Sequence, residues 1–243
     1  MGTDSNKQMN VMEHLEEMRK RLIRTLLAFL VAMVASFLYV RDIYQWLVRG
    51  MDEKLVILGP SDVMWVYFMI AGVFALAVTI PIAAYQIWKF VKPALSEQAR
   101  RATLLFIPGL TILFMIGISF GYLILFPMVL SFMNQMAAAD FNAMYTADKY
   151  FTFMIHMTVP FGLLFEMPAV VMFLTRLGIL NPHRLAKARK LAYFLLLIVA
   201  VAITPPDILS DLVVTVPLFL LYEISIAISK VVYRKQLNLQ SEQ

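Results

Sequence analysis

Apolar stretches long enough to cross a bilayer recur along the whole chain, near residues 23–40, 64–88, 103–132, 151–176, 191–204 and 209–229. About 20 apolar residues in a helix span the hydrocarbon core. The expected fold is therefore all-α: a polytopic membrane protein with six transmembrane helices, forming a single domain over residues 1–243. Composition agrees, because 61% of the residues are hydrophobic and 15% are charged, whereas a soluble domain is roughly half apolar and a quarter charged. The fifth span is the short one, and the sixth is a candidate for the same. Residues 191–204 give about 21 Å of helix against about 30 Å of hydrocarbon, so the bilayer must thin there, or the helix tilt less or draw in its flanks.

The distribution of charge orients these spans. Of the 21 Lys and Arg residues, only Arg41, Arg49, Lys54 and Lys149 fall in the first, third and fifth connections. The rest lie in the N-terminal segment (Lys7, Arg19, Lys20, Arg21, Arg24), the second and fourth connections (Lys89, Lys92, Arg100, Arg101; Arg176, Arg184, Lys187, Arg189, Lys190) and the tail (Lys230, Arg234, Lys235). Positive charge is retained in the cytoplasm, which predicts both termini inside and an even number of spans. The basic surface is thus an orientation signal, and nucleic-acid binding is a poor reading of it. The start, Met1 to Val11, is polar and lacks the pattern of a cleaved signal peptide, so the first span is expected to remain in the mature protein. Cysteine is absent, which excludes disulfides and thiolate chemistry. No connection is long enough to hold a soluble module.

Proline and glycine punctuate the spans: Pro81, Pro108, Gly117, Gly121, Pro127, Pro160, Gly162, Pro168 and Pro217. Proline removes a backbone donor and bends a helix, so kinked helices and a curved scaffold are expected. The segment Gly117-Ile118-Ser119-Phe120-Gly121 matches a nucleophile pattern that works only on a strand-to-helix turn. In mid-helix it reads as close packing through two small residues. No HExxH, Walker A or metal-ligand cluster is present, so neither a metal site nor a cofactor is expected.

A few ionisable residues carry the chemistry. Residues 14–22 read as an amphipathic helix feeding the first span, with Met12, Leu15, Met18 and Leu22 as its apolar stripe. Glu16–Lys20 and Glu17–Arg21 are spaced for ion pairs along that helix. Exposed pairs are exchanged cheaply, so a carboxylate there can also receive a cationic group from a partner. Glu166, inside the fourth span, is either protonated or faces a polar cavity, or bonds a carbonyl freed by a proline. Glu223 is read as snorkelling or pairing with Lys230, and His156 as a packed, hydrogen-bonded core residue. Asp207, after Pro205 and Pro206, is a natural N-cap for the sixth span. Asp211, a turn later, suits the same positive helix end.

In order along the chain, several motifs converge: His14-Leu15-Glu16-Glu17-Met18-Arg19-Lys20-Arg21-Leu22; Pro81 to Phe90 with Pro93-Ala94-Leu95; Phe120-Gly121-Tyr122 with Phe126-Pro127; Phe161-Gly162 with Phe165-Glu166-Met167-Pro168; Thr204-Pro205-Pro206-Asp207; and Pro217-Leu218 with Leu221-Tyr222-Glu223. Together they resemble the TatC family, the core subunits of the twin-arginine protein translocase, over about residues 12–233. The resemblance implies a cup-shaped six-span scaffold in the cytoplasmic membrane. It would bind the signal peptides of folded precursor proteins and, with single-span TatA-type subunits, export them at the expense of the proton-motive force. It also implies self-association in a receptor complex and no enzymatic activity.

By the same resemblance, Glu17 receives the signal arginines with Arg19 nearby, Phe90 takes part in that recognition, Glu166 is the intramembrane acid, and Asp207 and Asp211 are outer-face polar positions. One departure stands out. The family commonly has Glu before the basic pair, where this chain has Ala99. Either Glu97 takes over or recognition leans more on Glu17, and a two-residue displacement on a helix turns the side chain by about 200°. Two other readings give opposed expectations. A secondary transporter would have repeated halves, which the sequence lacks, and an intramembrane protease would pair Ser119 with a base such as His156.

Overall fold

The computed structural model describes residues 3–49, 54–92, 106–138, 144–204 and 208–241. Glu97, Ala99 and Asp207 lie outside them. The described chain is helical: α1 (Thr3–Leu38), α2 (Val40–Leu47), α3 (Pro60–Val91), α4 (Phe106–Phe120), a π-helical turn (Gly121–Leu125), α5 (Phe126–Ala137), α6 (Ala147–Leu164), α7 (Met167–Arg176), α8 (Pro182–Lys187), α9 (Arg189–Ile203) and α10 (Ile208–Ser241).

Five stretches are long and apolar enough to cross a membrane: Met12–Leu38, Pro60–Val91, Phe106–Ala137, Ala147–Arg176 and Ser210–Lys235. Their outward faces carry large apolar side chains, among them Leu26, Leu30, Val34, Phe68, Ile112, Leu123 and Leu220. Such a surface suits lipid far better than water. The 15-residue α9 is about 22 Å long and falls short of a full crossing.

Local chemistry sets the boundaries. Pro60 occupies the first turn of α3, and the Asp62 carboxylate accepts from the backbone N–H groups of Leu58 and Gly59 at 2.9 and 3.0 Å. Thr146 caps α6, and Asn181 caps α8 by accepting from the His183 N–H at 2.9 Å. The turn after α7 needs Gly178, whose φ of 74° is open to glycine at little cost.

Two spans that read as continuous apolar runs are each broken. In the third, the helix widens to a π turn at Gly121–Leu125 just before Pro127. The wider register absorbs the proline, which has no N–H to return to the preceding turn. In the fourth, the helix breaks at Phe165 and Glu166 and resumes with Pro168 in the first turn of α7. Pro81, Pro160 and Pro217 remain inside their helices.

Helix α1 runs antiparallel to α3, with His14 stacked on Phe90 at one end and Phe37 against Phe68 toward the other. Helix α3 in turn packs on α4 and α6. Between α4 and α6 the approach is very close, because a Cβ on Gly117 would lie 2.5 Å from the Phe161 carbonyl oxygen and one on Gly121 would lie 2.7 Å from the Thr158 Cα. The expected small-residue packing is thus present. Helix α10 packs on α7 and α9, and a buried hydroxyl pair, Thr175 and Ser229 at 2.7 Å, joins α7 to α10. The connections after α2 and α5 meet in a short parallel bridge, in which Val56 donates to the Tyr145 carbonyl at 3.0 Å and accepts from Ala147 at 2.8 Å. Above it, α2 and an aromatic group of Tyr44, Phe126, Tyr150 and Phe151 close that end of the core.

Candidate functional site

The α1–α3 pairing brings two of the sequence-predicted residues to one place. The ring of His14 stacks on Phe90 with centroids 4.3 Å apart and planes at 27°. Glu17 lies less than one turn beyond His14 on α1, before the apolar stretch begins. Its carboxylate is bound by the Arg21 guanidinium. The charge of Lys89, at the end of α3, acts on the same carboxylate. Glu16 pairs with Lys20 at 2.8 Å. Glu16 and Lys20 are well exposed, and Arg19 stands exposed beside them. Both helical ion pairs read from the sequence are therefore formed, and Glu17, Arg19 and Phe90 share one end of the α1–α3 pair.

The burial of Arg21 is a feature that the sequence did not single out. Arg21 is the one charged residue among the buried ones described, with 9% of its surface exposed. Its Nε and Nη1 have no hydrogen-bond partner among the described residues, and neither has the buried Oε1 of Gln86 on α3. Burial of a charged side chain at an i, i+4 position could not be told from its spacing alone.

Glu166 sits where the fourth span breaks, as the residue preceding α7. Its backbone carbonyl accepts from Val170 at 2.9 Å, but both carboxyl oxygens are buried with no partner among the described residues. The expected alternative, a bond to a carbonyl released by a proline, is not formed. Asp211, in the first turn of α10, accepts from the Thr204 hydroxyl, which also shares the Ala200 carbonyl at 2.9 Å. It thus ties the end of α9 to the start of α10.

Two expectations need correcting. Glu223 is held by Arg189, whose Nε and Nη2 each lie 2.8 Å from a carboxylate oxygen, and by the Tyr193 hydroxyl at 2.6 Å. The bidentate guanidinium of the neighbouring helix outcompetes Lys230 on its own helix. His156 is exposed on the outward face of α6 instead of packed in the core, because the inward face is already filled by Phe151, Met154, Met157, Thr158 and Phe161. Ser119 makes no hydrogen bond with His156. It lines a mainly apolar cavity of about 440 Å³ with Trp46, Tyr122 and Thr158. No metal-ligating group of three or more His, Asp or Glu is found among the described residues.

These features define a multi-pass helical membrane protein with a carboxylate–guanidinium cluster where α1 meets the end of α3 and, inside a broken span, an acid without a partner among the described residues. The family model for the Sec-independent protein translocase protein (TatC) matches residues 13–217. The chain is 56% identical over 232 residues to the Sec-independent protein translocase protein TatCd of Bacillus subtilis (strain 168), covering 96% of each chain. It is 46% identical to TatCy of the same organism, over 94% of this chain and 91% of that one. The crystal structure titled twin arginine translocase receptor TatC superposes with a TM-score of 0.77 at 30% identity, covering 90% of this chain and 99% of that one. The chain belongs to the TatC family and is a subunit of the Sec-independent, twin-arginine protein translocase.

Proposed function

We propose that this chain is the subunit that recognises twin-arginine signal peptides at the cytoplasmic face, with Glu17 as the carboxylate that receives a signal arginine. The observation that carries the reading is the Glu17 carboxylate already holding a guanidinium, that of Arg21, beside the His14–Phe90 stack. An arginine presents a planar fork that a carboxylate binds in two places, whereas a lysine presents a point charge. Phe90 offers an apolar and aromatic edge next to that charge, and Arg19 and Glu97 complete the proposed recognition surface.

In this reading α9 is a short fifth membrane element that brings the number of spans to six, so both termini and the basic connections face the cytoplasm, in keeping with the charge distribution. Glu166 and Asp211, with Asp207, are proposed as polar contact points for the signal's apolar stretch and for single-span TatA-type subunits. Assembly with further copies of this chain and use of the proton-motive force follow from the same family role.

The test is a photo-crosslinking residue at Glu16, next to the proposed acceptor, in membranes given a twin-arginine precursor or its twin-lysine counterpart. Crosslinking to the arginine form alone is expected, and Glu17→Gln should abolish it along with export. Equal labelling of both precursors would reduce the site to a generic acidic surface. Export retained in Glu17→Gln would remove Glu17 from its role.

A further inference from the structure

Arg21 is placed in an unusual way for a residue whose positive charge is permanent. It is 9% exposed, it spends Nη2 on Glu17, and its Nε and Nη1 are enclosed without a partner among the described residues. Enclosed donors left unused cost free energy, so the Glu17–Arg21 pair is an incomplete resting place for a guanidinium. Across the helix interface the Gln86 Oε1 is an enclosed acceptor in the same condition.

The register of α1 against α3 puts these groups at one level. His14 meets Phe90 and Phe37 meets Phe68, so the antiparallel pairing sets Gln86 opposite the residue pair Met18 and Arg19. The Arg21 side chain leans back toward the start of its helix, as side chains on a helix do and as its bond to Glu17 requires. That lean carries the guanidinium to the level of Gln86.

We propose that Arg21 is a resident competitor for Glu17 and that Gln86 is the acceptor that takes its guanidinium when an incoming signal arginine displaces it. The inference rests on the reading of Glu17 as the signal-binding carboxylate. Binding then becomes an exchange of one guanidinium for another, and the cost of displacing Arg21 weakens every incoming cation by the same factor. A signal arginine replaces the displaced fork with another, whereas a signal lysine offers a point donor. Arg21 thereby sets a threshold that the stronger arginine contact clears and the weaker lysine contact does not.

Equilibrium titration of the full-length protein in lipid nanodiscs with synthetic twin-arginine and twin-lysine signal peptides tests this. Arg21→Met should tighten both peptides by about two- to fivefold and leave the ratio of their dissociation constants unchanged, and Arg21→Lys, a weaker competitor than arginine, should do so to a smaller extent. Gln86→Leu should weaken twin-arginine binding by a similar factor, and this loss should vanish in an Arg21→Met background. A purely structural role for Arg21 would weaken both peptides or leave both unchanged, and either result would overturn the proposal. So would a Gln86→Leu loss that persists without Arg21. Should Arg21→Met fail to fold, Arg21→Lys keeps the cation and carries the affinity test. Glu17→Gln separates the layers. If it leaves binding intact, the carboxylate reading fails and the competition with it. If it abolishes binding while neither Arg21 variant tightens the peptides, only the competition fails.

Discussion

Glu223 is gripped by Arg189 through two parallel hydrogen bonds and by Tyr193 through a third, so the first turns of α9 and the middle of α10 are joined by charge as well as by packing. Glu223→Gln should lower the melting temperature of the detergent-solubilised protein by a few degrees, whereas Lys230→Ala should leave it close to wild type. The reverse pattern would restore the lysine as the partner that matters. The preference for Arg189 was not legible in the sequence, since 34 residues separate it from Glu223 and only the α9–α10 packing brings them together. Glu17 and Arg21 were legible because four residues on one helix fix their proximity. Glu166 was legible as a residue of interest for the opposite reason: an acid in an apolar run is conspicuous wherever it ends up. What the sequence withheld was that its oxygens find no bond among the described residues.

The helices themselves were largely legible, and their interruptions only in outline. Proline marked the third and fourth spans as bent. Whether such a residue yields a kink, a π turn or a break depends on how neighbouring carbonyls are satisfied, and the three prolines inside α3, α6 and α10 give no break. Helix α2 was missed because its segment was read only as an outer connection. The outward turn of His156 was hidden because a helix in lipid is apolar on both its packed and its lipid-facing sides, so hydrophobic period says little about which is which. Glycine spacing was more informative. Gly117→Ala would bring a methyl within 2.5 Å of the Phe161 carbonyl oxygen. Backbone cannot yield there without separating α4 from α6, at an overpacking cost of about 1–3 kcal/mol. The variant should melt markedly lower and accumulate poorly in membranes. Gly72→Ala, with open space around the new methyl, is the matched control and should behave as wild type. Equal stability of the two would refute the close α4–α6 contact.

At the scale of the whole molecule, the short α9 sets the protein against the thickness of its membrane. A helix of about 22 Å beside a hydrocarbon layer of about 30 Å favours locally thin lipid, and the cost of mismatch rises with each ångström. Thermal stability and signal-peptide affinity should therefore both be higher in bilayers of shorter acyl chains than in long-chain ones. Indifference to chain length would mean that α9 does not meet the bilayer as a spanning element. The bridge between Val56 and Thr146 has a mechanical corollary. By pinning the connection that precedes α3 to the one that precedes α6, it leaves the far ends of those helices as the freer ones. The bridged end then acts as a fulcrum, and a small splay there becomes a larger excursion at the opposite end, where Glu17 and Phe90 lie.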